Sequence, residues 1–146
     1  MTAGELLEAA HSFPFHPLRE KLENRPWVVV APHPDDESLA CGGLIAEACR
    51  QGLRGKVVIV SDGVGSHPNS KAYPPDRLRV LREEEGRRAG AELGLKPEDM
   101  LFLGLADRFV PSEGPDAERA IGAIVDCVRE KWRQIPFCQL APRSPL

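Results

Sequence analysis

Four side chains that can bind a metal or move protons lie within five positions of the sequence: His33, Asp35, Asp36 and Glu37. A neutral imidazole and a carboxylate three residues apart can bind one divalent metal, and the carboxylate between them can transfer protons. A simpler interpretation is that one aspartate caps a helix and that the histidine is a hydrogen-bonded residue at a strand end. Four polar groups in so short a stretch exceed what a cap requires, so we interpret them as a functional cluster.

The residues around this cluster predict a strand followed by a helix. Trp27–Ala31 is a continuous apolar run, which is typical of a central parallel strand covered on both faces. Two prolines flank His33 and cannot donate to a sheet, so the strand should end at His33. A helix should begin near Asp36 or Glu37 and stop at Gly52, because apolar residues follow at helical spacing. In open parallel sheets ligands bind beyond the carboxyl ends of strands, where the cluster lies.

Two more strand and helix units follow. They comprise a strand at Lys56–Val60, a helix from Pro74 to Leu93 that stops at Gly94, a strand at Met100–Leu103 and a helix from Ser112 or Asp116 to about Trp132. This alternation predicts a three-layer α/β domain with a mainly parallel, Rossmann-like sheet. We expect the domain to span residues 27–132, after an N-terminal extension at 1–26 and before an irregular, proline-interrupted tail at 133–146.

Charge and composition narrow the possible partners. The net charge of −3 over 146 residues offers no basic field for nucleic acid or anionic lipid. No apolar run approaches the length of a membrane span and the N-terminus has no basic leader, so we expect a cytoplasmic protein. The four cysteines form no CxxC pair and are predicted to be small buried thiols. An oligomer is compatible with all of these features.

The run Ala31–Glu37, APHPDDE, follows an apolar strand and opens a helix, and it resembles the signature of the PIG-L / LmbE-like family of zinc-dependent deacetylases. Members of that family remove N-acetyl groups from N-acetylglucosamine-type substrates and related small amides. The resemblance implies an LmbE-like deacetylase fold in which His33 and Asp36 bind zinc and Asp35 is the general base. It also implies that the zinc polarises the amide carbonyl and lowers the pKa of a bound water to about 7.

Two later stretches extend the resemblance to substrate binding. The block Arg82–Glu85, followed by Ala89 and by Leu-Gly, is similar to a family block in which the arginine contacts substrate. From periodicity alone, Glu85 falls on the buried stripe of its helix, where Arg82 could pair with it, although a solvated surface pair is an equal alternative. The family also has an aspartate facing the substrate after the third strand, which corresponds to Asp107. A simpler interpretation of Asp107 is that its side chain hydrogen-bonds its own backbone, as an aspartate in a turn ordinarily does.

The sequence has no residue that matches the family's third zinc ligand. The family supplies it from a histidine-rich turn, HPDH or HxxH, whereas this sequence has no histidine after His67, which we expect to face solvent. We therefore expect the resemblance to stop near Trp132, as in a truncated or frame-changed chain. Two alternatives stay open: a non-catalytic member of the same fold, and a nucleotide-binding domain that uses the turn Asp62–Ser66. The latter lacks a GxGxxG that leads into a helix.

Overall fold

Five helices and three strands alternate along the described chain. The computed structural model describes residues 2–14, 16–23, 25–67, 70–107 and 113–133. The elements are α1 (Ala3–Ser12), α2 (Leu18–Leu22), β1 (Trp27–Ala31), α3 (Asp36–Arg50), β2 (Gly55–Ser61), α4 (Pro75–Glu92), β3 (Met100–Leu105) and α5 (Gly114–Arg133). The order of elements in residues 27–133 is the predicted one. The predicted irregular tail lies outside the described residues from residue 134 onward, and the domain limits at residues 26 and 132 stay predictions.

The three strands form one parallel sheet in the order β1-β2-β3. Val29 pairs with Val57, and Ile59 pairs with Phe102, before the register shifts between Ile59 and Ser61. The predicted α/β class with a parallel sheet is therefore confirmed. β1 ends at Ala31 rather than at the predicted His33, although the Ser61 amide still donates to the Pro32 carbonyl at 3.0 Å. His33 and Asp35 thus lie on the loop that leads from β1 into α3, and Asp36 and Glu37 are the first two residues of α3.

Apolar side chains cover both faces of the central strand. Val57 and Ile59 of β2 belong to a buried core that also contains Ile45 and Ala48 of α3. The alternate residues of a strand point to the opposite face, where α5 contacts β2 and β3. The helix α5 buries Ala117 and Ala120, whereas its Ile121 is 59% exposed.

The buried face of α4 also differs from the prediction. Glu85 was expected on this face, but its side chain is 49% exposed, whereas Leu78, Gly86 and Gly90 are buried. A Cβ at Gly86 would lie 3.3 Å from the Phe102 ring, so the absence of a side chain lets α4 approach β3 closely. The buried face of α4 thus runs through Leu78, Gly86 and Gly90. Glu85 consequently needs no buried partner.

Leu18 and Leu22 of the N-terminal helix α2 pack against the core. No described helix is long and apolar enough to cross a membrane. Cys41 and Cys49 are free thiols, as predicted, but they are only partly buried. Burial, followed by the nearby Asp99 carboxylate, raises the pKa of Cys49 above its usual value. The side chains of the other two cysteines lie outside the described part of the structure.

Gly55 makes the start of β2 sensitive to any added side chain. Its Cβ position is occupied by the ring of Trp27, which is buried and whose Nε1 donates to the Leu53 carbonyl at 3.2 Å. We expect Gly55→Ala to lower the free energy of unfolding by about 1–3 kcal/mol or more, because a rigid buried ring must move. Gly43→Ala is the control, since nothing lies within 4 Å of that position and it should stabilise α3 by up to about 1 kcal/mol. Urea denaturation measures both, and equal stabilities would contradict the packing described here.

Candidate active site

His33 and Asp36 contact each other where β1 leads into α3. Asp36 is the first residue of α3, and its Oδ2 lies 3.1 Å from His33 Nδ1. The same oxygen accepts the backbone N–H of His33, also at 3.1 Å. The carboxylate therefore fixes both the backbone and the ring of the histidine. The two predicted metal ligands are brought together by local structure alone.

Asp35 lies between these two residues in an unusual backbone conformation. Its φ of 123° and ψ of −27° are values that a non-glycine residue adopts at a cost of about 1–3 kcal/mol. Within the described structure its carboxylate does not cap α3, although the residue stands at the helix boundary. Instead, Asp35 Oδ2 lies 3.8 Å from Arg82 Nη1. The predicted base and the predicted substrate-binding arginine therefore face each other.

A pair of aspartates joins the turns that follow β2 and β3. Asp62 Oδ1 accepts the backbone N–H of Val64 at 3.2 Å and that of Asp107 at 3.1 Å. In return, Asp107 Oδ2 accepts the backbone N–H of Gly65 at 2.9 Å. These reciprocal hydrogen bonds connect the two strand ends through side chains, beyond the point at which the strands pair.

Asp107 also connects this pair of turns to the histidine. Its Oδ1 lies 3.4 Å from His33 Nε2, and its side chain is almost completely buried. The imidazole is therefore held between the carboxylates of Asp36 and Asp107, one at each ring nitrogen. Asp62 has no role in the sequence-based assignment, and its position in the Ser-Asp-Gly turn after β2 is the only signal that could have suggested one.

An open cavity of about 340 Å³ lies over these residues. Its lining brings together four of the five predicted site residues, His33, Asp35, Arg82 and Asp107, while Asp36 lies behind His33 and does not line it. A larger cavity of about 450 Å³ lies at the opposite end of the sheet and contains none of the predicted site residues. Cavity size alone would therefore select the end of the sheet that has none of the predicted site residues.

Two donors of the expected zinc site fit a single ion. Ligands joined to a tetrahedral zinc by bonds of 2.0–2.1 Å would be about 3.3–3.4 Å apart, close to the 3.1 Å between His33 Nδ1 and Asp36 Oδ2. No group of three histidine, cysteine, aspartate or glutamate side chains suited to a metal occurs among the residues that the structure describes. His67 is exposed as expected, and its Nδ1 lies 3.0 Å from Ser66 Oγ.

The turn after β2 is a poor phosphate cradle. A glycine-rich loop binds phosphate through backbone N–H groups that are free to donate. Here the N–H groups of Val64 and Gly65 already donate to the carboxylates of Asp62 and Asp107. The negative charge of those carboxylates would also repel a phosphate. This geometry counts against the nucleotide-binding alternative.

Asp62 should stabilise the site through the two backbone N–H groups that it accepts. Asp62→Ala leaves both donors without this acceptor and should cost about 1–3 kcal/mol of unfolding free energy. Asp62→Asn keeps one carbonyl oxygen that can accept both N–H groups, so it should stay much closer to the wild type. Urea denaturation of the three proteins tests this. An alanine variant as stable as the wild type would show that the connection between the turns contributes nothing.

Comparison with known proteins identifies the family of this chain. The sequence matches the PIG-L family, described as GlcNAc-PI de-N-acetylase, over residues 28–135. It is 31% identical over 107 residues to a probable N-acetyl-alpha-D-glucosaminyl L-malate deacetylase 2 of Bacillus anthracis, covering 70% of this chain and 45% of that protein.

Two solved structures share the fold. One is the N,N'-diacetylchitobiose deacetylase from Pyrococcus horikoshii, with a TM-score of 0.64 and 21% identity over 90% of this chain and 47% of the other. The other is GalB, the 4-carboxy-2-hydroxymuconate hydratase from Pseudomonas putida, with a TM-score of 0.59 and 21% identity over 72% and 42% of the respective chains. The chain spans less than half the length of each of these relatives. Because the family match covers most of its residues, the chain belongs to the PIG-L family of deacetylases.

Proposed function

We propose that this chain provides the catalytic residues for hydrolysis of an N-acetyl or similar amide on a small amino-sugar substrate. The observation that carries the proposal is the placement of Asp35. Its carboxylate is released from helix capping and lies at one cavity with His33 and Arg82. The membership in a deacetylase family and the deacetylase relatives support the same reaction class. A cytoplasmic location is part of this proposal.

We further propose that His33 Nδ1 and Asp36 Oδ2 are two ligands of a zinc ion. A zinc ion bound there would supply Lewis acidity that polarises the amide carbonyl and acidifies water. With a metal bound at Nδ1, the imidazole proton would be on Nε2, where Asp107 Oδ1 lies 3.4 Å away. That tautomer leaves the lone pair of Nδ1 free on the side of Asp36, as metal binding requires.

The proton transfers are assigned to Asp35. Its carboxylate accepts a proton from the attacking water and donates it to the nitrogen of the leaving amine, so that an amide and water become a carboxylic acid and an amine. Its exposure to the cavity makes both transfers geometrically feasible. Arg82 lies across the same cavity and is assigned to substrate orientation through its guanidinium donors. Asp107 borders this space too, and can contact a substrate hydroxyl besides orienting His33.

A second candidate is a non-catalytic member of the same fold. The observation that favours it is that the described residues supply only two suitable zinc ligands in one place, whereas a catalytic zinc site ordinarily has three protein ligands. The two candidates differ in what the purified chain should do. Zinc-dependent release of acetate from an N-acetylglucosamine derivative supports the first, and a folded chain with neither bound zinc nor turnover supports the second.

The assignment of the metal ligands predicts a clear separation among neighbouring variants. His33→Ala and Asp36→Ala should each weaken zinc binding by at least about 10–100-fold, because each removes a direct ligand. Asp35→Asn should retain zinc and lose turnover, because an amide cannot accept the proton. His67→Ala is the control and should bind zinc like the wild type. Zinc affinity is measured by competition with a chromophoric chelator and turnover by acetate release.

Equal loss of zinc in all three site variants would overturn the assignment of Asp35 as the base. Loss of zinc in His67→Ala would instead identify that histidine as a ligand.

Arg82 should affect substrate binding rather than metal binding. It lies 3.8 Å from Asp35 and 3.7 Å from Glu85, contacts too long to stabilise a half-exposed pair by more than about 1 kcal/mol. We expect Arg82→Ala to raise KM by about tenfold or more, with zinc content and the free energy of unfolding nearly unchanged. Arg82→Lys keeps the charge without the planar guanidinium and tests whether shape matters. A large loss of stability with an unchanged KM would show that the arginine is structural.

A further inference from the structure

Glu37 is the most deeply buried acidic side chain among the described residues. It is the second residue of α3, and its exposed fraction is 0%. A carboxylate removed from water needs partners that replace its hydration. The reaction proposed above gives this side chain no task, although it immediately follows the proposed ligand Asp36.

Both oxygens of Glu37 accept a hydrogen bond from a neighbour in the chain. Oε2 accepts the backbone N–H of Asp35 at 3.0 Å, and Oε1 accepts the hydroxyl of Ser38 at 2.8 Å. The first of these bonds is made to the residue with the positive φ of 123°. Residues other than glycine hold such a conformation only where the surrounding structure supports it. Glu37 provides a direct support.

Glu37 also takes over a task that would otherwise occupy Asp35. A residue at the start of a helix ordinarily uses its own carboxylate to accept a helix N–H. In the described structure Asp35 makes no such bond, and its carboxylate faces Arg82 instead. The hydrogen bond that the Asp35 N–H donates to Glu37, the second helical residue, is similar to the return half of a capping box, in which the third helical residue accepts this N–H. The forward half of a capping box, in which the side chain of the boundary residue accepts a helix N–H, is absent from the described structure. The Asp35 carboxylate is therefore available to the cavity.

A capping role alone does not explain the complete burial of Glu37. Capping glutamates gain their benefit at the helix surface, whereas removing this carboxylate from water adds a cost that surface capping avoids. Glu37 and Asp35 both line a second, smaller cavity of about 210 Å³ beside the first. The buried carboxylate thus lies directly behind the loop that carries the proposed base.

We propose, on the basis of the function proposed above, that Glu37 is a positioning residue. It holds the backbone of Asp35 in the conformation that directs the proton-transferring carboxylate into the cavity. Glu37 Oε2 accepts the Asp35 N–H, and the Ser38 hydroxyl donates to Glu37 Oε1 and so fixes the glutamate. Loss of Glu37 should therefore misplace the base while His33 and Asp36 keep their mutual contact.

Amide exchange at Asp35, measured by NMR on the full chain, tests this directly. In the wild type the Asp35 N–H should exchange at least about tenfold more slowly than solvent-exposed loop amides, and Glu37→Leu should remove this protection. Glu37→Gln should restore it, because its oxygen can accept the N–H while its amide donates to Ser38. Glu47→Leu is the matched control, since it changes the same residue type on the same helix, away from Asp35.

Turnover provides the second measurement. We expect Glu37→Leu to lower kcat at least about tenfold with KM and zinc affinity within about twofold of the wild type, and Glu37→Gln to recover most of the loss. A purely structural glutamate would lower the folded fraction but would leave the kcat of the folded protein and the exchange of this one amide unchanged.

Two results would overturn the proposal. One is an unprotected Asp35 amide in the wild type, which needs no variant and decides the matter even if Glu37→Leu does not fold. The other is unchanged exchange and kcat in a folded Glu37→Leu. A wild-type chain that releases no acetate but shows Glu37-dependent exchange at Asp35 would contradict the proposed function while supporting the link between these two residues.

Discussion

The site depends on the parallel pairing of the three strands. Because all three strands run in the same direction, their carboxyl ends lie at one edge of the sheet, and the loops that follow them must meet there. The Asp62 amide donates to the Leu105 carbonyl at 2.9 Å, and the Ser61 amide donates to the Pro32 carbonyl at 3.0 Å. These two bonds bring the ends of the strands together before any side chain of the site contributes.

Negative charge is concentrated at this edge of the sheet. Asp36, Glu37, Asp62 and Asp107 each accept at least one backbone N–H, which partly compensates their charge. In the described part of the structure Asp35 differs, since its carboxylate has only the guanidinium of Arg82 nearby, at 3.8 Å. A concentration of carboxylates favours a bound cation, and we propose that Asp35 is the carboxylate that transfers protons. The distribution of hydrogen bonds thus separates the four carboxylates that accept backbone N–H groups from Asp35, which we propose as the general base.

Close packing of α4 onto the sheet places Arg82 at the cavity. Gly86 and Gly90 allow α4 to lie close to Phe102 and Met100 of β3. With the helix in this position, Arg82 lies at the cavity and Glu85 is half-exposed beside it. The same fold occurs in a deacetylase and in a hydratase, so such side-chain placement, rather than the fold, has to decide the reaction.

Hydrophobic pattern and turn residues were sufficient to predict the strands, the long helices and the parallel sheet, because these features depend on local periodicity and on apolar burial. The sequence also identified His33 and Asp36 as a contacting pair, since a spacing of three residues at a helix start determines their separation. The tertiary structure alone decided which face α4 buries, because small residues in contact with a sheet carry no hydrophobic signal. It also decided that Asp62 and Asp107 each accept a backbone N–H from the other's turn, and that Asp107 contacts His33. Those contacts join residues 45 and 74 positions apart along the chain, and only the pairing of the strands brings them together.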